Sequence, residues 1–185
     1  MRRFVLVGAL AALGSAQPPM GDELGFEGTQ RATGLRGWFE QPSGIAFADS
    51  EVVHSGRYSA RLEGRAGAPL IMRLFPIDFD GEFVELKAFV RTENVAGGVY
   101  LWMRQDGQVR SIAAAQSQPV KGTTEWTEYS VRIPILATGN QVYYGVFIQG
   151  AGRAWIDDMQ LLVDGKPLAE AQARDFSPIN PAIPN

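Results

Sequence analysis

The sequence predicts an all-β protein, a two-sheet antiparallel β-sandwich in a single domain, and three observations carry that prediction. Apolar and polar residues alternate with a period of two in eight or more short runs. No stretch between Pro18 and Gly165 sustains the three-to-four period of a helix. Clusters of Gly, Pro, Asp and Asn separate the runs. Short strands of this kind each have one apolar face to bury, and two facing sheets bury them all.

The first strands in chain order are "RYSARLEG" (57–64) and "PLIMRLF" (69–75). "FVELKAFVR" (83–91) then sets Val84, Leu86, Ala88 and Val90 on one face and Glu85 and Lys87 on the other. "GGVYLWMRQDG" (97–107) and "QVRSIAAA" (108–115) follow. "EYSVRIPI" (128–135) alternates Tyr129, Val131 and Ile133 against Glu128, Ser130 and Arg132, and "QVYYGVFIQG" (141–150) and "GRAWIDDMQLLVDG" (152–165) complete the set. "GTQRATGLRGWFEQPSG" and "VKGTTEW" lack clean alternation and read as connections.

The termini read differently. Arg2 and Arg3, the apolar run "FVLVGALAALG" and the small residues "GSA" predict a signal peptide over 1–16, cleaved after Ala16. That run is about half the roughly 20 residues a membrane-spanning helix needs, so the processed protein is expected to be secreted or periplasmic and not to span a membrane. The domain is expected over 17–165, with an extended C-terminal tail over 166–185 that carries "SPINPAIPN". With 20 acidic residues against 17 basic ones and no basic stripe, nucleic acid is excluded as a partner. The lack of cysteine excludes disulfides and a lipoprotein anchor.

Candidate site residues come from the strands. Tyr100, Trp102 and Arg104 share one face of "GVYLWMR" while Val99, Leu101 and Met103 share the other. Aromatic ring faces attract the polarised C–H bonds of a sugar ring, and an arginine supplies hydrogen bonds at the end of the line. Tyr143, Phe147 and Gln149 form a comparable line, with Gly145 leaving room between them. The alternative is that Trp102 and Phe147 fill the core. Trp38, in a Gly-rich loop, is either a ligand contact or a lid over one end of the sandwich, and Trp126 and Trp155 are assigned to the core. His54, the sole histidine, reads as a turn-fixing residue, and Asp78, Asp80 and Glu82 as a solvated hairpin tip.

Strict alternation along "AWIDDMQLLV" puts Asp157 on one side with Trp155, Met159, Leu161 and Val163, and Asp158 on the other. A carboxylate on an apolar face requires hydrogen bonds, an ion pair or a cation. Backbone N–H groups, Arg153 and a metal all remain open.

Taken together, "ELGFEG", "GLRGWF", "VVHSGRYSARLEG", "LWMRQDG", "KGTTEWTEYSVRIPI" and "GAGRAWIDDMQLLVDG" resemble, in order and approximate spacing, galactose-binding-like β-jelly-rolls of the carbohydrate-binding-module type. The resemblance spans roughly Glu23 to Val163. It implies a jelly roll and a non-catalytic domain that holds a polysaccharide or cell-envelope glycan, for which the residue pattern above offers Trp38, Tyr100, Trp102, Arg104, Tyr143 and Gln149 as ligand contacts. It also implies one structural calcium ion held by Glu27 and Asp157. A rival expectation is an envelope structural domain whose partner is another protein. A polysaccharide-degrading enzyme is the third, although Asp157 and Asp158 point to opposite faces and so cannot form a glycosidase pair.

Overall fold

The computed structural model describes residues 24–27, 34–65 and 70–174. The signal-peptide segment 1–16 and the end of the tail, 175–185, lie outside the described residues. Ten strands follow in chain order: β1 (Phe39–Gln41), β2 (Ala46–Asp49), β3 (Ser59–Gly64), β4 (Leu70–Pro76), β5 (Phe83–Asp106), β6 (Ser111–Gln116), β7 (Val120–Pro134), β8 (Gln141–Gln149), β9 (Gly152–Val163) and β10 (Lys166–Pro167). All the pairings are antiparallel.

The two layers share one strand. The first half of β5 lies between β7 and β9, with β3 and β2 beyond β9. Its second half lies between β6 and β8, with β4 and β1 beyond β8. What the alternation reads as two strands, 83–91 and 97–107, is thus one strand of 24 residues that crosses from layer to layer. The crossing occupies Asn94 to Gly98, where Asn94 has φ 52° and Gly98 has φ 145°. A Cβ at Gly97 would stand 2.5 Å from the Gln149 carbonyl oxygen, so this close approach requires glycine.

Period-two burial builds the core. Val84, Leu86, Ala88 and Val90 from the first half of β5 meet Val99, Leu101 and Met103 from the second, together with Val142, Tyr144, Val146 and Ile148 of β8. Buried Gln105 ties this core to the 135–140 connection: its side-chain amide donates to the Leu136 carbonyl and accepts from the Leu136 N–H.

One expectation about faces is corrected. Phe89 pairs with Asp157 but Lys87 pairs with Gln160, so β9 carries one more residue than β5 across this interval. That bulge sits at Asp158, whose φ of 47° lies in the left-handed region that Asp tolerates better than most residues. The extra residue changes the phase of the strand. Ala154 and Ile156 face the core before it and Met159, Leu161 and Val163 after it, whereas Trp155 and Asp157 lie opposite Arg91 and Phe89 on the outer face. Asp157 therefore does not share a face with Met159, and the Asp157 and Asp158 carboxylates, expected on opposite faces, both reach the 54–55 loop on the outer side.

Two stretches read as connections also contain strand. Phe39–Gln41 forms β1, and "VKGTTEW" is the start of β7, where register shifts against β5 and a φ of 73° at Gly122 destroy simple alternation. Beyond the Asp164-Gly165 turn, with φ of 49° and 80° as in a type I′ hairpin, residues up to Arg174 lie along 78–80. The Asp80 N–H donates to the Gln172 carbonyl and the Arg174 N–H to the Asp78 carbonyl, each at 2.8 Å, and Leu168 packs on the core. Asp80 of the acidic cluster pairs with Arg174.

Candidate ligand-binding face

The layer β6-β5-β8-β4-β1 turns Leu101 and Met103 inward, so Tyr100, Trp102 and Arg104 face outward. In β8, Val142, Tyr144 and Val146 are core, so Tyr143, Gly145, Phe147 and Gln149 share that same outer face. Register then joins the two lines, pairing Tyr100 with Phe147, Trp102 with Gly145, Arg104 with Tyr143 and Gly98 with Gln149.

Each pair makes a defined contact. The Tyr100 and Phe147 rings stack with centroids 4.7 Å apart and planes 11° apart. The Tyr100 hydroxyl donates to Gln149 Oε1 at 3.4 Å. The Arg104 guanidinium carbon lies 4.5 Å from the Tyr143 ring centroid, and Arg104 Nη2 donates to Asp106 Oδ2 at 2.9 Å. Between these two ridges Trp102 faces a residue without a side chain. Trp102 is half-buried, and its indole N–H is covered with no acceptor among the described residues. A covered donor of this kind is costly unless something accepts from it.

The structure thus brings together Tyr100, Trp102, Arg104, Tyr143 and Gln149, and it places Phe147 on this face with them and not in the core. Trp38 goes elsewhere. At 8% exposure it belongs to the core, stacked on Phe26 at 5.5 Å and edge-on to Tyr144 at 5.8 Å, which fits the lid and not the ligand contact. Its neighbour Phe39, missed by sequence reasoning, is 53% exposed on β1.

On the other layer the acidic groups of the outer face are matched to partners, although Arg61 Nε is buried without one among the described residues. Asp157, with 0% exposure, accepts from the backbone N–H of His54 (2.9 Å) and Ser55 (3.2 Å) through Oδ2 and from that of Asp158 (2.8 Å) through Oδ1. Arg153 pairs instead with Glu93. Burial pushes the Asp157 pKa above the ordinary value more than these N–H groups lower it, and the Asp158 charge pushes in the same direction. Asp158 in turn lies 2.6 Å from His54 Nδ1 and accepts from the Ser55 hydroxyl at 2.7 Å. The His54 ring stacks on Phe89 at 3.7 Å and meets Trp126 edge-on at 5.6 Å. Glu27 grips the far end of the same loop through the N–H of Arg57 (2.8 Å) and Tyr58 (3.3 Å).

Trp126 and Trp155, both assigned to the core by their patterns, lie outside it because bulges shift the phase of β7 and β9. Trp155 is buried on the outer face, and its indole N–H donates to Asp49 Oδ2 at 3.0 Å. Burial acts to raise the Asp49 pKa, but this bond, the N–H groups of Glu51 and Val52, and Arg61 together bring it below the ordinary value.

The fold is a β-jelly-roll like that of solved carbohydrate-binding modules. In structure the chain is similar to TmCBM61, solved in complex with β-1,4-galactotriose, with a TM-score of 0.53 and 14% identity over 76% of this chain and 95% of that one. It is similar to the xylan-binding domain of CBM 22, with a TM-score of 0.54 and 15% identity over 76% and 92%. A third likeness is to the C-terminal family 22 module of Clostridium thermocellum Xyn10B, with a TM-score of 0.51 and 14% identity over 80% and 99%. In sequence it is 27% identical over 139 residues to the uncharacterized HTH-type transcriptional regulator YbfP of Bacillus subtilis, covering 66% of this chain and 46% of that protein. The chain thus spans about half the length of the curated relative it matches. No protein-family model matches it. No helix among the described residues is long and apolar enough to cross a membrane.

Proposed function

We propose that the chain is an exported, non-catalytic module that holds a glycan on the outer face of β5 and β8. The observation that carries this reading is Trp102, an indole set opposite Gly145 between the Tyr100–Phe147 stack and the Arg104–Tyr143 pair, with its N–H unmatched among the described residues. Ring faces of this kind suit the C–H face of a pyranose. The fold likeness to modules solved with galactotriose or named for xylan supports the ligand class. Export rests on the 1–16 segment.

Two features support a non-catalytic role. Asp157 and Asp158 are committed to N–H groups, His54 and Ser55, and as successive residues that reach the same loop they are not placed to flank a bound sugar as paired glycosidase carboxylates do. The test is retention on a panel of soluble and insoluble polysaccharides, by affinity electrophoresis and pull-down. The expected result is retention on at least one glycan, lost in Trp102→Ala with an unchanged circular dichroism spectrum. No retention by a folded sample would replace this reading with an envelope protein-interaction domain, and release of reducing ends would make the chain an enzyme.

Of the two carboxylates that the resemblance assigns to calcium, Asp157 holds one end of the 54–58 loop and Glu27 the other, and no group of three or more acidic or histidine side chains able to hold a metal forms among the described residues. Calcium takes six to eight oxygens, so loop carbonyls and water would complete the set. We propose a structural ion there, one that would offset the burial of Asp157. Chelation is expected to lower Tm, and identical melting curves with calcium and with chelator would reject the ion and leave the N–H bonds as the whole account.

A further inference from the structure

We infer that Phe39 forms the far end of a strip running across the strands from Trp102, and that the strip takes an extended, uncharged oligosaccharide rather than a single sugar. This rests on the glycan reading above. The pairings place Phe39, Met72, Gly145, Trp102 and Gln116 in one cross-sheet row over β1, β4, β8, β5 and β6. Directly opposed residues of antiparallel strands share a face, so Phe39 stands on the same outer face as Trp102. It is the most exposed aromatic side chain on that face, at 53%, and no ring stacks on it among the described residues.

Three inter-strand steps separate Phe39 from Trp102, about 14 Å between their backbones. A single sugar ring cannot touch both, whereas a short oligosaccharide can. The Tyr100–Phe147 stack and the Arg104–Tyr143 pair occupy the rows on either side and so direct such a chain along the row, over Gly145. The described charges on this face cancel, because Arg104 is held by Asp106 through contacts of 2.9 Å. Asp106 offsets the Arg104 charge and repels a uronate carboxylate, while the remaining guanidinium N–H groups can still donate to the hydroxyls of a neutral sugar.

The test is affinity electrophoresis and calorimetry with monosaccharides and with neutral xylo-, cello- and galacto-oligosaccharides of increasing length, beside polygalacturonate. Wild-type affinity is expected to rise with length. Phe39→Ala should lose about tenfold on the longer oligosaccharides and nothing on the shortest, Phe39→Tyr should restore the loss, and Trp102→Ala should abolish binding at all lengths. If Phe39→Ala binds like wild type at every length while Trp102→Ala does not bind, the strip is wrong and the glycan reading stands. If Trp102→Ala binds normally, both fall. Tighter binding of polygalacturonate than of any neutral chain would overturn the charge argument. Phe39 is exposed on an edge strand, so its variants are expected to melt with the wild type, and a shared Tm distinguishes lost contact from lost fold.

Discussion

The outer faces of the two layers carry similar residues and use them in opposite ways. Trp155 and Trp102 both lie on outer faces, yet the Trp155 indole N–H is bonded to Asp49 whereas that of Trp102 has no acceptor among the described residues. His54 is stacked on Phe89 and held by Asp158, whereas Phe39 is open to solvent. Aromatic content does not separate the structural face from the candidate binding face. The state of the two indole N–H groups and the exposure of the rings do: Trp155 is buried and bonded to Asp49, whereas Trp102 is unmatched among the described residues and Phe39 is exposed.

That comparison can be broken by experiment, and the largest effect is expected at Asp157. Asp157→Ala leaves the N–H groups of His54, Ser55 and Asp158 without their acceptor and is expected to cost about 3 kcal/mol in urea unfolding. Loss of under about 1 kcal/mol would mean that water replaces the carboxylate and that this face is less structural than its bonding suggests.

Trp155→Phe removes one charge-assisted bond to Asp49 and is expected to cost about 2 kcal/mol at pH 7. Its pH dependence follows from the lowered Asp49 pKa. The stability Asp49 contributes is present above its unfolded value near 3.8 and is lost as pH falls through the lower folded value, so the Trp155→Phe penalty should shrink in that acid range. Asp157 has the opposite sign. Its folded pKa is raised, so its contribution is fully present below 3.8 and is lost as pH rises through the folded value. In chelator, Asp157→Asn should therefore flatten the stability profile on the side above 3.8. A variant profile parallel to that of the wild type would contradict the burial argument.

Smaller effects are expected on the other face. Trp102→Ala should cost under about 1 kcal/mol of stability, because the ring is outside the core, while abolishing glycan retention. A large loss of stability would make Trp102 structural, as Trp155 is. Glu93→Ala breaks only the exposed pair with Arg153 and should shift stability by less than about 0.5 kcal/mol, a baseline for the rest.

Much of this arrangement is legible in the chain. The inward and outward lines of β5 and β8 follow from period-two alternation, which is why Tyr100, Trp102, Arg104, Tyr143 and Gln149 can be named before any coordinates. The tryptophans mark the limit. Trp126 and Trp155 carry inward patterns but sit beside bulges, and a bulge has no local signature beyond a residue able to adopt positive φ, such as Asp158. Trp38 is the larger residue, yet its neighbour Phe39 is the exposed one, because successive residues of an extended chain point to opposite sides.

By itself, then, the sequence determined the strand content, the two-sided character of each strand and the chemistry available on each side, all of which depend on residue type and the local geometry of an extended chain. Only the tertiary structure decided that β5 passes through both layers, that β9 changes phase at Asp158, and that Phe39 falls in line with Trp102. These are matters of register between segments distant in the chain. Register is set by which faces bury together and by long-range pairing, so no single strand encodes it alone.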